Sequence, residues 1–245
     1  MSEETVFARS EQKYLLTRAQ YEALLGVLAA RAHPDAYSLY TVLSIYYDTA
    51  DFAMLRAAMD HPYYREKLRL RSYGVPGPAD TAFVEVKKKC GGIVYKRREA
   101  MPLREAECYL AARQLLRPRT QILSEIDVLL ARAPVEPKVM IAYDRRAFAA
   151  NEDEALRITF DTGLRWRDTD LALAAGDRGT PLAGAPQALL ELKLHNAMPL
   201  WLAHTLSQIG AVPTSFSKVG TWYAARRRAA FQPILSAKKG VLTCA

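Results

Sequence analysis

In the run Arg65-Glu66-Lys67-Leu68-Arg69-Leu70-Arg71, every second residue is a cation. Leu68 and Leu70 between them, with Tyr64 before and Ser72 after, give the stretch the composition of a β-strand whose other face is packed. Side chains alternate along a strand, so Arg65, Lys67, Arg69 and Arg71 project the same way. Residues two apart lie roughly 6 to 7 Å apart, and at an effective dielectric near 20 each adjacent pair repels by about 2 to 3 kcal/mol. A fold relieves that by turning the face to solvent or by setting anions against it. A lone strand of this kind reads as a solvated face. This one is not alone. Phe83 to Lys89 sets Glu85, Lys87 and Lys89 opposite Val84 and Val86, Ile93 to Arg98 presents Lys96 and Arg98, and Leu189 to Leu194 sets Glu191 and Lys193 against Leu190, Leu192 and Leu194. Several strands with charges on one face and aliphatics on the other imply a barrel with a polar interior.

The 245 residues suffice for a sizeable core, and strands recur without a linker, so a single domain over residues 1–232 is expected, followed by a loosely held tail over 233–245. A net charge of +8 favours an anionic partner: nucleic acid, an anionic membrane or a phosphate-rich small molecule. Cys90, Cys108 and Cys244 form no CxxC pair and are expected to be reduced thiols of a cytoplasmic protein. Met1-Ser2-Glu3-Glu4 does not open a signal peptide, and no apolar run approaches the roughly 18 residues of a membrane span.

Further along the chain, Thr17 is expected to cap a helix from about Arg18 to Ala30, and Asp48 or Thr49 a short helix through Leu55. Strands are expected from Val6 to Leu15, Tyr40 to Tyr47, Lys138 to Ala149, Leu156 to Asp161 and Leu164 to Arg167, with Asp161-Thr162-Gly163 as the turn between the last two. Phe83 to Lys89 and Ile93 to Ala100 pair as a hairpin across Cys90-Gly91-Gly92. Further helices fit Arg104 to Leu115, Ile122 to Arg132, Leu200 to Ile209 and Lys218 to Arg228. The class is α+β with a largely antiparallel sheet, which excludes a doubly wound nucleotide fold. Neither GxxxxGK[ST] nor GxGxxG occurs, so phosphate must be handled by side-chain cations.

Seven segments occur in an order that resembles the VTC domain, the polyphosphate polymerase branch of the triphosphate tunnel superfamily. They are Glu11-Gln12-Lys13-Tyr14, Ser44-Ile45-Tyr46-Tyr47-Asp48, Leu68 to Gly74, Phe83 to Lys87, Tyr143 to Phe148, Leu190-Glu191-Leu192-Lys193 and Pro213 to Lys218. The resemblance covers about Ala8 to Tyr223. It implies an eight-stranded antiparallel barrel forming a tunnel with flanking helices, and transfer of the γ-phosphate of ATP onto an inorganic polyphosphate chain. By resemblance, Lys13, Arg69, Arg71, Lys87, Lys96, Arg145 and Lys193 are catalytic, and Tyr143, Ser217 and Lys218 bind substrate. Glu191 holds a divalent metal, Mn2+ or Mg2+. The implied partners are ATP and polyphosphate, without nucleic acid; a membrane-bound partner is compatible with the absence of a span. Ser215 stands where eukaryotic members often carry lysine, and no inositol-phosphate-sensing domain or membrane anchor is expected.

Arginine forks bind phosphate oxygens bidentately, which suits Arg69, Arg71 and Arg145, whereas the lysines act as point charges. A phosphate acceptor is already an anion, so no general base is required, in keeping with the lack of an obvious His/Asp pair. Other readings remain open. Glu191 and Lys193 could be a plain ion pair, Tyr143 a core tyrosine, and Glu11 and Glu85 tunnel carboxylates that pair with lysines. His33, His61, His195 and His204 have no ligand spacing. Arg226-Arg227-Arg228 reads as a solvated helix end. Arg65 and Lys67 are expected nearer an opening than Arg69 and Arg71. A triphosphatase of the same fold would resemble ExExK at the first strand, where Glu11-Gln12-Lys13 has one glutamate. A polyphosphate- or RNA-binding module without chemistry would be served by the same basic strands, although the nearby aromatics Tyr63, Tyr64 and Tyr73 fall at strand ends.

Overall fold

A computed structural model describes residues 10–60, 63–91, 93–195 and 197–239, the last ten as backbone only. Eight strands form one continuous antiparallel path: β1 (Ser10–Leu16), β2 (Ala32–Asp48), β3 (Tyr64–Tyr73), β4 (Thr81–Cys90), β5 (Ile93–Pro102), β6 (Glu136–Ala150), β7 (Arg157–Arg167) and β9 (Ala188–Leu194). Their order is β1-β9-β7-β6-β2-β3-β4-β5, and the two-residue β8 (Thr180–Pro181) pairs with β7. The antiparallel eight-stranded expectation therefore holds, with one departure: no ladder among the described residues joins β1 to β5, so the tunnel-like sheet is not closed by backbone pairing. The segment after α5 (Leu200–Gln208) lies on the free edge of β1 instead, where Tyr14 bridges to Pro213 and Thr214 N–H donates to the Lys13 carbonyl at 2.8 Å. The other edge, β5, carries exposed Lys96, Arg97 and Arg98, charges that discourage edge-to-edge pairing.

The alternation of the strands decides what each face meets. Leu68 and Leu70 of β3, Val84 and Val86 of β4 and Leu43 and Ile45 of β2 turn outward and are sealed by α3 (Leu103–Ala112) and α4 (Gln121–Arg132) through Tyr109, Leu123 and Ile126. Leu190, Leu192 and Leu194 of β9, with Ile158 and Phe160 of β7, are covered by α1 (Arg18–Arg31) and α5 through Leu24, Leu28, Leu202 and Leu206. Each such leucine contributes about 1.5 to 3 kcal/mol by leaving water. Thr17 caps α1 as expected, in a capping box with Gln20. The carboxylate of Asp48 accepts from the amides of Met54 and Leu55, and the Thr49 hydroxyl from that of Ala53, which sets the start of α2 (Ala53–Met59).

Two local expectations are corrected. Residues 161–163 are not a turn: β7 runs unbroken from Arg157 to Arg167, with a bulge where Ala142 pairs with Arg165 but Asp144 with Thr162. Gly163 sits in that bulge at φ +58°, and a Cβ there would lie 2.9 Å from the Asp144 carboxylate, so glycine serves a strand irregularity rather than a reversal. The last helix, α6 (Lys218–Lys239), does not stop at Arg228. Arg226, Arg227 and Arg228 are exposed, as expected, but lie within the helix rather than at its end; Arg226 rests over Phe52 and Trp222 at 5.5 and 5.8 Å and pairs with Asp168. The tail expected over 233–245 falls outside the described residues from 240 onward, as do His61, Gly92 of the hairpin turn, Cys244 and the first part of the strand expected from Val6.

Val219, Trp222 and Tyr223 of α6 pack against Val42 and Tyr46 of β2 and Val139, Ile141 and Tyr143 of β6. These strand positions share parity with the charged residues of the inner face: Val42 is opposite Tyr143, and Tyr46 is opposite Arg69. The inner face is thus divided, with α6 filling an apolar part and charged side chains lining the rest.

Candidate active site

The strand registers assemble the charged residues in rows. Arg69 lies opposite both Tyr46 and Glu85, Lys67 and Lys96 flank Lys87, and Lys13 lies opposite Glu191. Contacts then divide them into two centres, each built on buried carboxylate.

Glu85, 1% exposed, is the first centre. It accepts from Arg69 at 2.6 Å, and Lys96 Nζ and Arg71 Nη1 lie 3.0 and 3.8 Å from its oxygens. Arg69 also donates to the Tyr46 hydroxyl at 3.2 Å, and Arg71 to Ser44 Oγ at 3.0 Å and the Tyr143 hydroxyl at 3.3 Å. Burial alone would raise the pKa of Glu85, but Arg69, Arg71 and Lys96 outweigh it and hold the carboxyl down at about 2. The same contest pulls the Tyr46 phenol down to about 8: burial raises it, and Arg69, Arg71 and Lys67 prevail.

Asp161 and Glu191 form the second centre. Arg145 makes a two-pronged contact with Asp161, at 2.6 and 2.8 Å, and reaches Glu191 at 3.0 Å. Lys218 Nζ lies 2.6 Å from Asp161 and 3.3 Å from Glu191, and Lys13 Nζ lies 3.3 Å from Glu191 and 3.2 Å from Glu11. The Tyr143 ring lies under both Lys218 and Arg145, at 4.4 and 5.4 Å. Burial opposes ionisation of Glu191, yet Lys218, Arg145 and Lys13 hold its pKa well below the usual carboxylate range. Lys67 Nζ donates to Ser217 Oγ at 2.9 Å, joining β3 to the start of α6.

Every proposed site residue therefore faces this interior: Lys13, Arg69, Arg71, Lys87, Lys96, Arg145, Lys193, Tyr143, Ser217, Lys218 and Glu191. Lys193, opposite Glu11 in the β1–β9 ladder, is the most exposed of the β9 pair. Glu11 and Glu85 pair with cations, as their reading as tunnel carboxylates requires. His33 and His204 are exposed and remote from the two centres, with His33 Nδ1 at 3.0 Å from the Asn151 side chain. Sequence reasoning missed Asp161, Tyr46 and the partner of Lys67. The alternation Thr159, Asp161 continues the inward register of β7 and could have placed Asp161, had Gly163 not suggested a turn.

Among the described residues no cluster of three His, Cys, Asp or Glu side chains could hold a metal by itself. The donor set fits an ion only once phosphate draws Lys13, Lys218 and Arg145 off the Glu191 oxygens that they now occupy. Glu191 offers carboxylate oxygens, and hard divalent cations at phosphate sites take one or two carboxylates and complete their shell with phosphate oxygens and water.

The surplus of cations has a measurable consequence. Burial is the main cause that pulls Lys67, Lys87 and Lys193 below the ordinary lysine value of 10.5, and it brings Lys96 to about 8. A lysine depressed in the folded state binds fewer protons folded than unfolded between its two pKa values, so stability rises with pH across that window. Tyr46 acts in the same direction between about 8 and 10. The melting temperature of the anion-free protein is therefore expected to climb by a few degrees from about pH 7.5 to 9.5, and tripolyphosphate is expected to flatten the climb. A melting temperature that falls steadily over this range would show that the lysines are not desolvated.

Comparison with known proteins gives three findings. The family model for the VTC domain matches residues 8–226. Subunit 4 of the vacuolar transporter chaperone complex of Trypanosoma cruzi is 25% identical over 193 residues, covering 64% of this chain and 24% of that protein, and the Trypanosoma brucei brucei subunit 4 is 25% identical over 189 residues with the same coverage. The chain thus spans about a quarter of the length of these curated relatives. Among solved structures, a candidate adenylate cyclase of Bacillus halodurans aligns with a TM-score of 0.53 at 12% identity, over 84% of this chain and 92% of that one. A Hippeastrum protein described as having a dominant triphosphatase activity aligns with a TM-score of 0.53 at 14% identity, over 88% and 95%. At such identities these structures bear on the fold alone.

Proposed function

The chain belongs to the VTC domain family, and we propose that its interior passes the γ-phosphoryl group of ATP to the end of a growing inorganic polyphosphate chain. The observation that carries this reading is a charge imbalance. Lys13, Lys67, Arg69, Arg71, Lys87, Lys96, Arg145, Lys193 and Lys218 share the inner face with the carboxylates Glu11, Glu85, Asp161 and Glu191, and Arg65, Lys89 and Arg98 fall on the same strand faces, so cations well outnumber carboxylates. A polyanion such as a triphosphate supplies the negative charge that this interior lacks.

In the proposed reaction a terminal oxygen of the polyphosphate chain attacks the γ-phosphorus, a new P–O bond forms, and the bond to the β–γ bridging oxygen breaks to release ADP. No proton need move, because the attacking oxygen is already anionic. Phosphoryl transfer asks mainly for alignment and charge neutralisation. Arg69, Arg71 and Arg145 supply bidentate clamps that fix the phosphates, and Glu85 and Asp161 hold those guanidiniums in place while the chain enters. Lys13, Lys87, Lys96 and Lys218 neutralise the charge that builds on the leaving oxygen, and Tyr143 orients Arg71. Manganese or magnesium, held by Glu191 and phosphate oxygens, would supply Lewis acidity.

The single glutamate in Glu11-Gln12-Lys13 supports transfer over a two-metal hydrolysis. We place the reaction in the cytoplasm, with ATP and polyphosphate as partners and a membrane-embedded complex as the route by which product leaves. No helix among the described residues is long and apolar enough to cross a membrane. Incubation of the purified protein with ATP and manganese, followed by electrophoresis of the products, tests this reading. Long polyphosphate is expected; orthophosphate alone would make the protein a triphosphatase, and tight polyphosphate binding without turnover a binding module.

A further inference from the structure

Beside the phosphate clamps, at the end of the inner face away from Lys67, four aromatic rings stand in a row. Tyr37 and Tyr40 of β2 meet edge to face at 6.3 Å, Tyr40 meets Tyr73 of β3 at 5.7 Å, and Tyr73 meets Phe83 of β4 at 5.6 Å. The guanidinium of Arg98 lies 4.9 Å over the Phe83 ring and ends the row. Such rings ordinarily seal a core, yet Tyr37 is 78% exposed and Tyr73 44%. An irregularity of β2 between Pro34 and Leu39, with Ser38 at φ +34°, accompanies the return of Tyr37 over Tyr40.

The row is continuous with the two centres. Tyr73 follows Arg71 by two residues on the same face, and Tyr40 lies opposite Arg145 in the β2–β6 ladder. Two residues of strand span about 6 to 7 Å, comparable to the reach from the α-phosphate of a nucleotide across its ribose to the base. A triphosphate held by Arg71 and Arg145 would carry whatever organic group it bears onto these rings. Exposed aromatics bind nucleobases by stacking without discriminating among them, and an arginine alongside adds a second planar cationic surface.

We propose that Tyr37, Tyr73 and Arg98 form the docking surface for the nucleoside of the triphosphate substrate, so that ATP is held base outward at this rim with its γ-phosphate toward the interior. This rests on the triphosphate reading of the interior, and the test separates the two. Affinity for ATP and for inorganic tripolyphosphate is measured by calorimetry on wild type, Tyr73→Ala, Tyr73→Phe and the Tyr37→Ala/Tyr73→Ala pair. Tyr73→Ala is expected to weaken ATP by roughly tenfold, Tyr73→Phe to retain wild-type affinity, and all variants to bind tripolyphosphate within about twofold of wild type. ATP affinity unchanged in the double variant, or an equal loss for both ligands, overturns the nucleoside surface while leaving the triphosphate site standing. A wild-type protein that binds neither ligand overturns both. Tyr37→Ala, measured alone alongside them, guards against loss of fold, because that exposed side chain supports little of the core; it is expected to weaken ATP and leave tripolyphosphate unchanged.

Discussion

Glu191→Gln is expected to lower ATP turnover by at least about a hundredfold while the protein stays folded and binds tripolyphosphate, without metal, several times more tightly than wild type. The two effects have one cause. Glu191 is the common acceptor of Lys13, Arg145 and Lys218, so in the anion-free protein it occupies the charge that a phosphate would otherwise meet. An amide of the same shape removes that competition. It also removes the carboxylate on which a divalent ion would sit. The fold survives because Asp161 still holds Arg145 and Lys218, and Glu11 still holds Lys13. Steady-state turnover and calorimetry on one preparation check both halves; full metal-dependent activity in the variant would remove Glu191 from the metal-binding role.

The second large effect concerns Arg69, which has a structural and a proposed catalytic task that can be separated. Arg69→Ala leaves Glu85 buried with Arg71 at 3.8 Å and Lys96 at 3.0 Å. Breaking a buried pair on one side costs about 3 to 5 kcal/mol, which for a chain of this size lowers the melting temperature by roughly 6 to 20 °C. Activity is expected to fall by at least about a hundredfold, the usual order for losing a group that stabilises transition-state charge. Adding Glu85→Gln removes a buried charge left with only Lys96 and the more distant Arg71, and should restore part of the melting temperature but none of the activity. Recovery of activity along with stability would show that Arg69 acts only by supporting the wall. The low pKa of Glu85 supplies a further sign. Its stabilisation is fully present above about pH 4.5 and is lost as pH falls toward 2, so the Arg69→Ala protein should lose less stability in that range than wild type.

The inner face was legible because strand alternation is strict: once Leu68 and Leu70 face a core, Arg69 and Arg71 must face the other way. The same rule placed Glu85, Lys87, Lys96, Glu191 and Lys193, and local chemistry placed Thr17 at the start of α1; the helix expected through Leu55 instead runs from Ala53 to Met59, with Phe52 at its N-cap and Asp48 holding its first amides from the end of β2. What escaped depends on contacts between distant segments or on an irregular backbone. Gly163 carries the mark of a turn yet serves a bulge, and that misreading hid Asp161, which proves to be the closest partner of Arg145 and Lys218. Tyr46 sits in a run of apolar residues, and only the pairing of β2 with β3 brings it to Arg69. The partner of Lys67 is Ser217, 150 residues later, and only the docking of α6 brings the two together. Three consecutive arginines suggested that a helix ends at Arg228, whereas α6 continues to Lys239. The lack of a β1–β5 ladder among the described residues is a matter of closure geometry, which strand composition does not encode.

In the proposed function the surplus cations of this interior hold a triphosphate for transfer rather than for hydrolysis. The most direct measurement follows ATP labelled in its γ-phosphate, with manganese present, and counts label in polymer, label in orthophosphate and ADP formed. Transfer predicts one ADP for each labelled phosphate entering acid-insoluble chains, with little free orthophosphate. Label that appears only as orthophosphate, in step with ADP, would contradict it.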